Sequence, residues 1–318
     1  MIEKVFTLEA ISPLDFLGAE NVNLKVIEEI FPNARIVARG NQVKVIANAI
    51  EIERFTDLFN ILVEHFGRYG ALTADYIKYY TKEQKLGPDD PSGTDVILFG
   101  HKGNVIKAKS ANQAKLVQTI QEHDLAFVIG PAGTGKTYIS VALAVRALKH
   151  KEVKKIIITR PAVEAGENLG FLPGDLKEKI DPYLRPIYDA LDDMLPPEKQ
   201  KYYYENRIIE IAPLAYMRGR TLHNAFILLD EAQNTTPMQM KMFLTRMGAN
   251  SKMIVTGDRS QIDLPKSQRS GLTDAIETLK KIKEIGVIEL TKTDVMRHKL
   301  VGKIISAYEK KAIENNEK

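Results

Sequence analysis

The run Gly130-Pro131-Ala132-Gly133-Thr134-Gly135-Lys136-Thr137 leaves this chain few folds to choose from. It matches the pattern G-x-x-x-x-G-K-[ST], follows the apolar stretch LAFVIG and precedes a helical pattern that runs through residue 148. A strand that turns through glycines into a helix start aims backbone N–H groups and the positive end of the helix dipole at one spot, which suits a phosphate chain. The pattern implies binding of a nucleoside triphosphate, ATP, with magnesium. Lys136 reaches the β and γ phosphates, and the Thr137 hydroxyl coordinates the metal.

A loop of this kind needs a parallel sheet behind it. After LAFVIG come KKIIITRP, RIIEIAP, AFILLDE, KMIVTGD and GVIELT, each an apolar run closed by a polar loop, with helical patterns between them. Runs that are apolar on both faces indicate strands covered by helices on both sides. The expectation for residues 112–318 is therefore an α/β P-loop NTPase domain, RecA-like, with a mostly parallel sheet. Ligands of such sheets sit beyond the strand carboxyl ends. Two further strand ends are then candidates: AFILL closes on Asp230-Glu231, and KMIVT runs into Gly257-Asp258-Arg259-Ser260-Gln261. Asp230 joins Thr137 in holding magnesium, and Glu231 polarises the attacking water. Gln261 senses the γ-phosphate or orients that water, since an amide both donates and accepts. Alone, an acidic pair at a strand end is commonly just a solvated terminus; the upstream phosphate loop gives it meaning.

Residues 1–84 read as a small α+β domain. Helical spacing covers 23–30, short strands at 34–37 and 42–46 flank Arg39-Gly40-Asn41, and 50–69 reads as a long amphipathic helix. KLGPDDPSG reads as a linker, and VILFGHKGNVIKAKS as a β-hairpin turning at 100–104, so residues 85–111 separate the two domains. A helix over 112–123 leads into the first strand of the sheet.

Composition removes several classes of function. There is no cysteine, hence no disulfide and no thiolate metal site or nucleophile, and the six histidines show no metal-ligand spacing. No stretch approaches the roughly 18 apolar residues of a membrane span, so the chain reads as cytoplasmic and without a membrane partner. The net charge of +4 is unevenly placed: residues 1–90 hold 10 Lys and Arg against 14 Asp and Glu. Residues 91–318 hold the remaining 35 against 27, so attraction to a phosphate backbone belongs to the C-terminal portion.

GPAGTGKT, TRP at 159–161, DEAQ and TGDRSQ occur in the order seen in superfamily-one helicase cores. More specifically, TRPAVEAGENLGFLPGDLKEKIDPYLRPIYDAL, with AYMRGRTL, DEAQN, GDRSQIDLP and DVMRH, resembles the PhoH-like ATPase family, densely over about residues 100–310. The resemblance implies an ATPase acting on single-stranded RNA, with an endoribonuclease of the YbeY type as partner. It implies Gln113 as the reader of adenine and Arg297 as an arginine finger from the same or a neighbouring subunit. Helicases of that superfamily carry two cores and this chain has room for one, so translocation needs a homo-oligomer such as a ring. Residues 1–84 resemble a KH module, although Gly18-Ala19-Glu20-Asn21 has asparagine where the second glycine belongs and the segment is net acidic.

Arg160, Arg218 and Arg220 follow strands and are candidates for phosphate contact, with plain solvation as the alternative. Tyr79-Tyr80 and Tyr202-Tyr203-Tyr204 offer rings for bases, with helix packing the commoner use. Two other functions share the phosphate loop. One is a nucleotide-gated protein-binding module without motor activity; the other, a small-molecule kinase, is disfavoured by the DEAQ and GDRSQ pair.

Overall fold

The computed structural model describes residues 1–9, 11–69, 71–82, 96–161, 176–265 and 267–296. The linker expected at 85–93 and Arg297 lie outside them. The chain divides into two compact units, Met1–Lys107 with Tyr188–Tyr202, and Ala108–Ile187 with Tyr203–Lys318. The hairpin read from sequence as lying between the domains groups with the first unit.

In the first unit, β1 (Ile2–Thr7), α1 (Pro13–Leu17), a 3-10 turn (Ala19–Asn21), α2 (Val22–Ile30), β2 (Arg35–Arg39), β3 (Gln42–Ala47) and α3 (Ala49–Tyr69) follow one another. The strands form an antiparallel sheet in the order β1-β3-β2. Helix α4 (Ala74–Lys82) and the hairpin of β4 (Val96–Phe99) and β5 (Val105–Lys107) complete the unit. Phe6, Phe16, Phe31, Phe55 and Phe59 build its core, and the buried Asn23 amide donates to Phe16 O and Leu72 O, each at 2.9 Å. Asn21 adopts φ 60° and ψ 31°, the left-handed conformation. Asparagine is among the few residues other than glycine that visit this region readily, so its presence at the end of the 18–21 turn does not disturb the backbone there.

The second unit is the expected sheet. Its strands are β6 (Leu125–Ile129), β7 (Lys155–Arg160), β8 (Ile209–Pro213), β9 (Ala225–Leu229), β10 (Lys252–Gly257) and β11 (Ile285–Glu289). They pair in parallel in the order β11-β6-β10-β9-β7-β8. Residues 126–128, 156–158, 225–229 and 253–255 are at most 2% exposed, as strands covered on both faces must be. Helices α5 (Ala111–Glu122) and α6 (Lys136–Lys149) pack on the sheet. Met240 and Phe243 of α9 (Pro237–Leu244), with Leu272, Ala275 and Ile276 of α10 (Gly271–Leu279), join a core with Phe127, Ile227, Leu229 and Val255. Caps set the helix starts: the Ser110 hydroxyl accepts from Gln113 N at 3.1 Å, and Thr236 with Gln239 forms a capping box on α9. Helices α7 (Leu176–Met194) and α8 (Pro197–Glu205) lie between β7 and β8 in sequence. Among the described residues no helix is long and apolar enough to cross a membrane.

Candidate nucleotide site

The glycine-rich loop leaves the carboxyl end of β6 between two gripping neighbours. Gly130 N donates to Gly257 O at 3.1 Å on one side, and Leu290 N donates to Ile129 O at 2.7 Å on the other. A Cβ at Gly130 would stand 2.8 Å from Leu290 Cβ and 2.9 Å from Leu290 O, so the approach requires glycine. Gly133 and Gly135 hold φ of 82° and 84°, and Gly135 opens α6 as its N-cap. Among the described residues the backbone N–H groups of Gly133, Thr134, Gly135 and Thr137 meet no acceptor, whereas Ala132 N donates to Asp258 Oδ2 at 3.1 Å. A ring of N–H groups at a helix start fits an anion. Lys136 meanwhile folds over the loop, its Nζ donating to Gly130 O at 2.7 Å and to Pro131 O at 2.9 Å.

At the end of β9, Asp230 is 1% exposed and its carboxylate is surrounded by donors. Oδ1 accepts from Thr137 Oγ1 at 2.7 Å and from Thr256 Oγ1 at 2.5 Å. Oδ2 accepts from Arg160 Nε at 2.8 Å and Nη2 at 2.5 Å. Three strand ends and the start of α6 thus converge on one carboxylate. A hydroxyl and a carboxylate side by side are hard oxygen donors, which fit magnesium when phosphate oxygens and water complete its shell. Among the described residues no group of three or more His, Cys, Asp or Glu side chains forms a metal site of its own.

Glu231 takes φ 54° and ψ 39°, a left-handed conformation that costs a non-glycine residue roughly 1–2 kcal/mol. Its carboxylate is 43% exposed, accepts from Gln233 Nε2 at 2.6 Å and lies 3.7 Å from Arg160 Nη2. Asp258 accepts through Oδ1 from Ser260 N at 2.8 Å and Ser260 Oγ at 2.6 Å. Gln261 follows in the same turn, its N–H on Asp258 O at 3.2 Å and its side chain exposed.

Gln113 lies against the phosphate loop, 3% exposed, with both amide atoms engaged: Oε1 accepts from Lys109 N at 2.7 Å and Nε2 donates to Thr134 O at 2.9 Å. In this arrangement it braces the loop. Beside it Asp294 accepts from Ser110 Oγ at 2.6 Å, Asn112 Nδ2 at 2.9 Å and Thr291 N at 2.7 Å. Burial pushes this carboxyl up, but those hydrogen bonds together outweigh it and hold its pKa at about 2. Two residues on, Met296 N donates to Gly133 O at 2.9 Å.

The three candidate arginines separate. Arg160 belongs to the site. Arg220 forms a two-pronged pair with Glu210 at 2.6 and 2.8 Å, which raises the guanidinium pKa and lowers that of the carboxyl, while Arg218 is exposed two residues away. Sequence reasoning did not single out Thr256 or Gln233. The signals were a hydroxyl ending an otherwise apolar run and an amide two residues past the acidic pair.

The family described as PhoH-like protein matches residues 105–309 of the chain. The PhoH-like protein of Bacillus subtilis (strain 168) is 50% identical over 300 residues, covering 93% of this chain and 94% of that one. Protein PhoH of Escherichia coli (strain K12) is 48% identical over 205 residues, covering 64% of this chain and 58% of that one. Among solved structures, the Hef helicase domain of Pyrococcus furiosus aligns with a TM-score of 0.36 and 16% identity over 58% of this chain and 38% of that one.

Proposed function

The chain belongs to the PhoH-like protein family, and from that premise we propose that it is a magnesium-dependent ATPase that acts on single-stranded RNA. The observation that carries the hydrolysis reading is the convergence of Thr137 and Asp230 at 2.7 Å beside the phosphate loop, with Glu231 the next residue. Lys136 exchanges its contacts with Gly130 O and Pro131 O for phosphate oxygens, and the free N–H groups of the loop take the rest of the anion. Thr137 and Asp230 would hold magnesium, which would supply positive charge to the phosphate oxygens. Glu231, partly exposed and oriented by Gln233, accepts the proton of the attacking water. Gln261, exposed in the turn after β10, is the residue that senses the γ-phosphate or orients that water in this reading. Reading adenine with Gln113 requires its amide to give up Lys109 N and Thr134 O.

The RNA part of the reading is supported by the excess of eight positive charges over residues 91–318 and by the exposed Tyr216 and Arg218 after β8. A ring that brings Arg297 to a neighbour's nucleotide, and an endoribonuclease partner, belong to the same proposal. The test is phosphate release from ATP with magnesium, titrated with single-stranded RNA and single-stranded DNA at fixed salt, with Lys136→Ala as the blank. Stimulation by RNA supports the reading. A slow rate that no nucleic acid changes favours instead a nucleotide-gated protein-binding module.

A further inference from the structure

Two side chains just past the acidic pair reach the loop that follows β10. Gln233, 1% exposed, donates through Nε2 to Glu231 Oε2 at 2.6 Å and accepts through Oε1 from Asp258 N at 3.0 Å. Asn234 makes a reciprocal pair with Asp263, donating to Oδ2 at 3.2 Å and accepting from its N–H at 2.8 Å. Asp258 in turn receives Ala132 N on Oδ2. Hydrogen bonds therefore run without a break from Glu231 through Gln233 and Asp258 to the phosphate loop.

The site is built around that amide. Ser270 Oγ donates to Gln233 O at 2.8 Å, and a Cβ at Gly257 would stand 2.8 Å from Gln233 Oε1 and 2.5 Å from Leu272 Cδ2. An ionised carboxylate only accepts and a backbone N–H only donates, so one side chain serving both must carry both functions at its tip, as an amide does. That also fixes which way the amide faces.

We propose that Gln233 is a positioning residue for hydrolysis, holding the Glu231 carboxylate in register with the 258–263 loop so that the water-activating group and the phosphate bed move as one unit. The proposal rests on the reading of Glu231 as the group that activates water.

The test uses Gln233→Glu and Gln233→Leu in the full chain. The glutamate keeps an acceptor for Asp258 N but sets a second carboxylate against Glu231; the leucine removes both contacts. For Gln233→Glu, kcat is expected to fall roughly 10- to 100-fold, as misplacing a catalytic group does, while the affinity for a fluorescent ATP analogue stays within about twofold. In the nucleotide-free proteins, amide hydrogen exchange at Asp258 is expected to be unchanged in Gln233→Glu and roughly tenfold faster in Gln233→Leu, with Asp263 protected in both by Asn234. If Gln233→Leu does not fold, the glutamate variant carries the test alone. Parental kcat in Gln233→Glu overturns the proposal. So does a matching loss of kcat and ATP affinity with faster exchange at Asp263, which marks general loosening. A parental chain that hydrolyses no ATP defeats the hydrolysis reading and this role together, whereas parental hydrolysis unchanged in Gln233→Glu defeats this role alone.

Discussion

Thr137 Oγ1 and Asp230 Oδ1 lie 2.7 Å apart although 93 positions separate them in the chain. The first opens α6 and the second ends β9, so the contact exists only when β6 and β9 are set on either side of β10. The same carboxylate also holds Arg160, which ties it to β7.

Removing Arg160 should therefore cost stability as well as activity. Its side chain is 12% exposed and that of Asp230 2%, so Arg160→Ala strands a buried carboxylate with two hydroxyl donors. Breaking such a pair from one side is expected to lower the unfolding free energy by about 3 to 5 kcal/mol, read from urea midpoints at constant slope. A loss below about 1 kcal/mol would mean that the site reorganises around the gap.

Lys136→Ala and Glu231→Gln should fail differently. The lysine variant is expected to lose ATP affinity and hydrolysis together, because it removes a cation aimed at the phosphates. The glutamine variant should bind ATP as the parent does and turn over roughly 100-fold more slowly, as when a general base is removed. Equilibrium binding and single-turnover rates separate the two, and parental turnover in Glu231→Gln would remove the water-activating role.

Asp294 sets a pH dependence of stability whose sign follows from its pKa. The folded value, about 2, lies below the ordinary 3.8, so the unfolded chain binds the proton more readily between them. The contribution is present above pH 3.8 and is lost as pH falls through about 2. Urea midpoints of the parent and Asp294→Asn should differ above pH 5 and converge toward acid; a constant gap would show that the carboxylate charge is not what the donors hold.

Arg218→Ala and Arg220→Ala offer a third contrast. Arg220 and Glu210 are about one-third exposed, so solvent screening limits their pair to about 1 kcal/mol or less, and Arg220→Ala acts through the shape of the loop it braces. Among the described residues the Arg218 side chain meets no hydrogen-bond or ion-pair partner, and it is exposed. Arg218→Ala is expected to leave stability and basal hydrolysis unchanged and to weaken RNA stimulation, with a shallower salt dependence. Equal stimulation in both proteins would take Arg218 out of the RNA reading.

The inner strands β6, β7, β9 and β10 could be read because burial on both faces demands the unbroken apolar runs that the sequence displays, whereas the edge strands β8 and β11 are partly exposed. The glycine-rich loop after β6 and the place of Asp230 at the end of β9 were legible because the pattern itself ties those residue types to strand ends. Strand β1 was not, since only Phe6 in Ile2–Thr7 is buried and the rest of that edge strand shows no period. Thr137 was paired with Asp230 from the sequence, but Thr256 was not singled out and Arg160 was read only as a phosphate contact: they lie 26 and 70 residues from Asp230, and nothing local marks a side chain for a contact the sheet order alone creates. Gln113, which the resemblance implies as the reader of adenine, bonds Lys109 N and Thr134 O in this structure, a use that the identity of the residue leaves equally open.

The hydrogen bond from Met296 N to Gly133 O gives the segment past β11 a lever on the nucleotide's bed. A substitution that removes this donor, such as Met296→Pro, would be felt at the loop's turning point. Nucleotide affinity measured in such a variant would then report on the segment past β11 as much as on the loop itself.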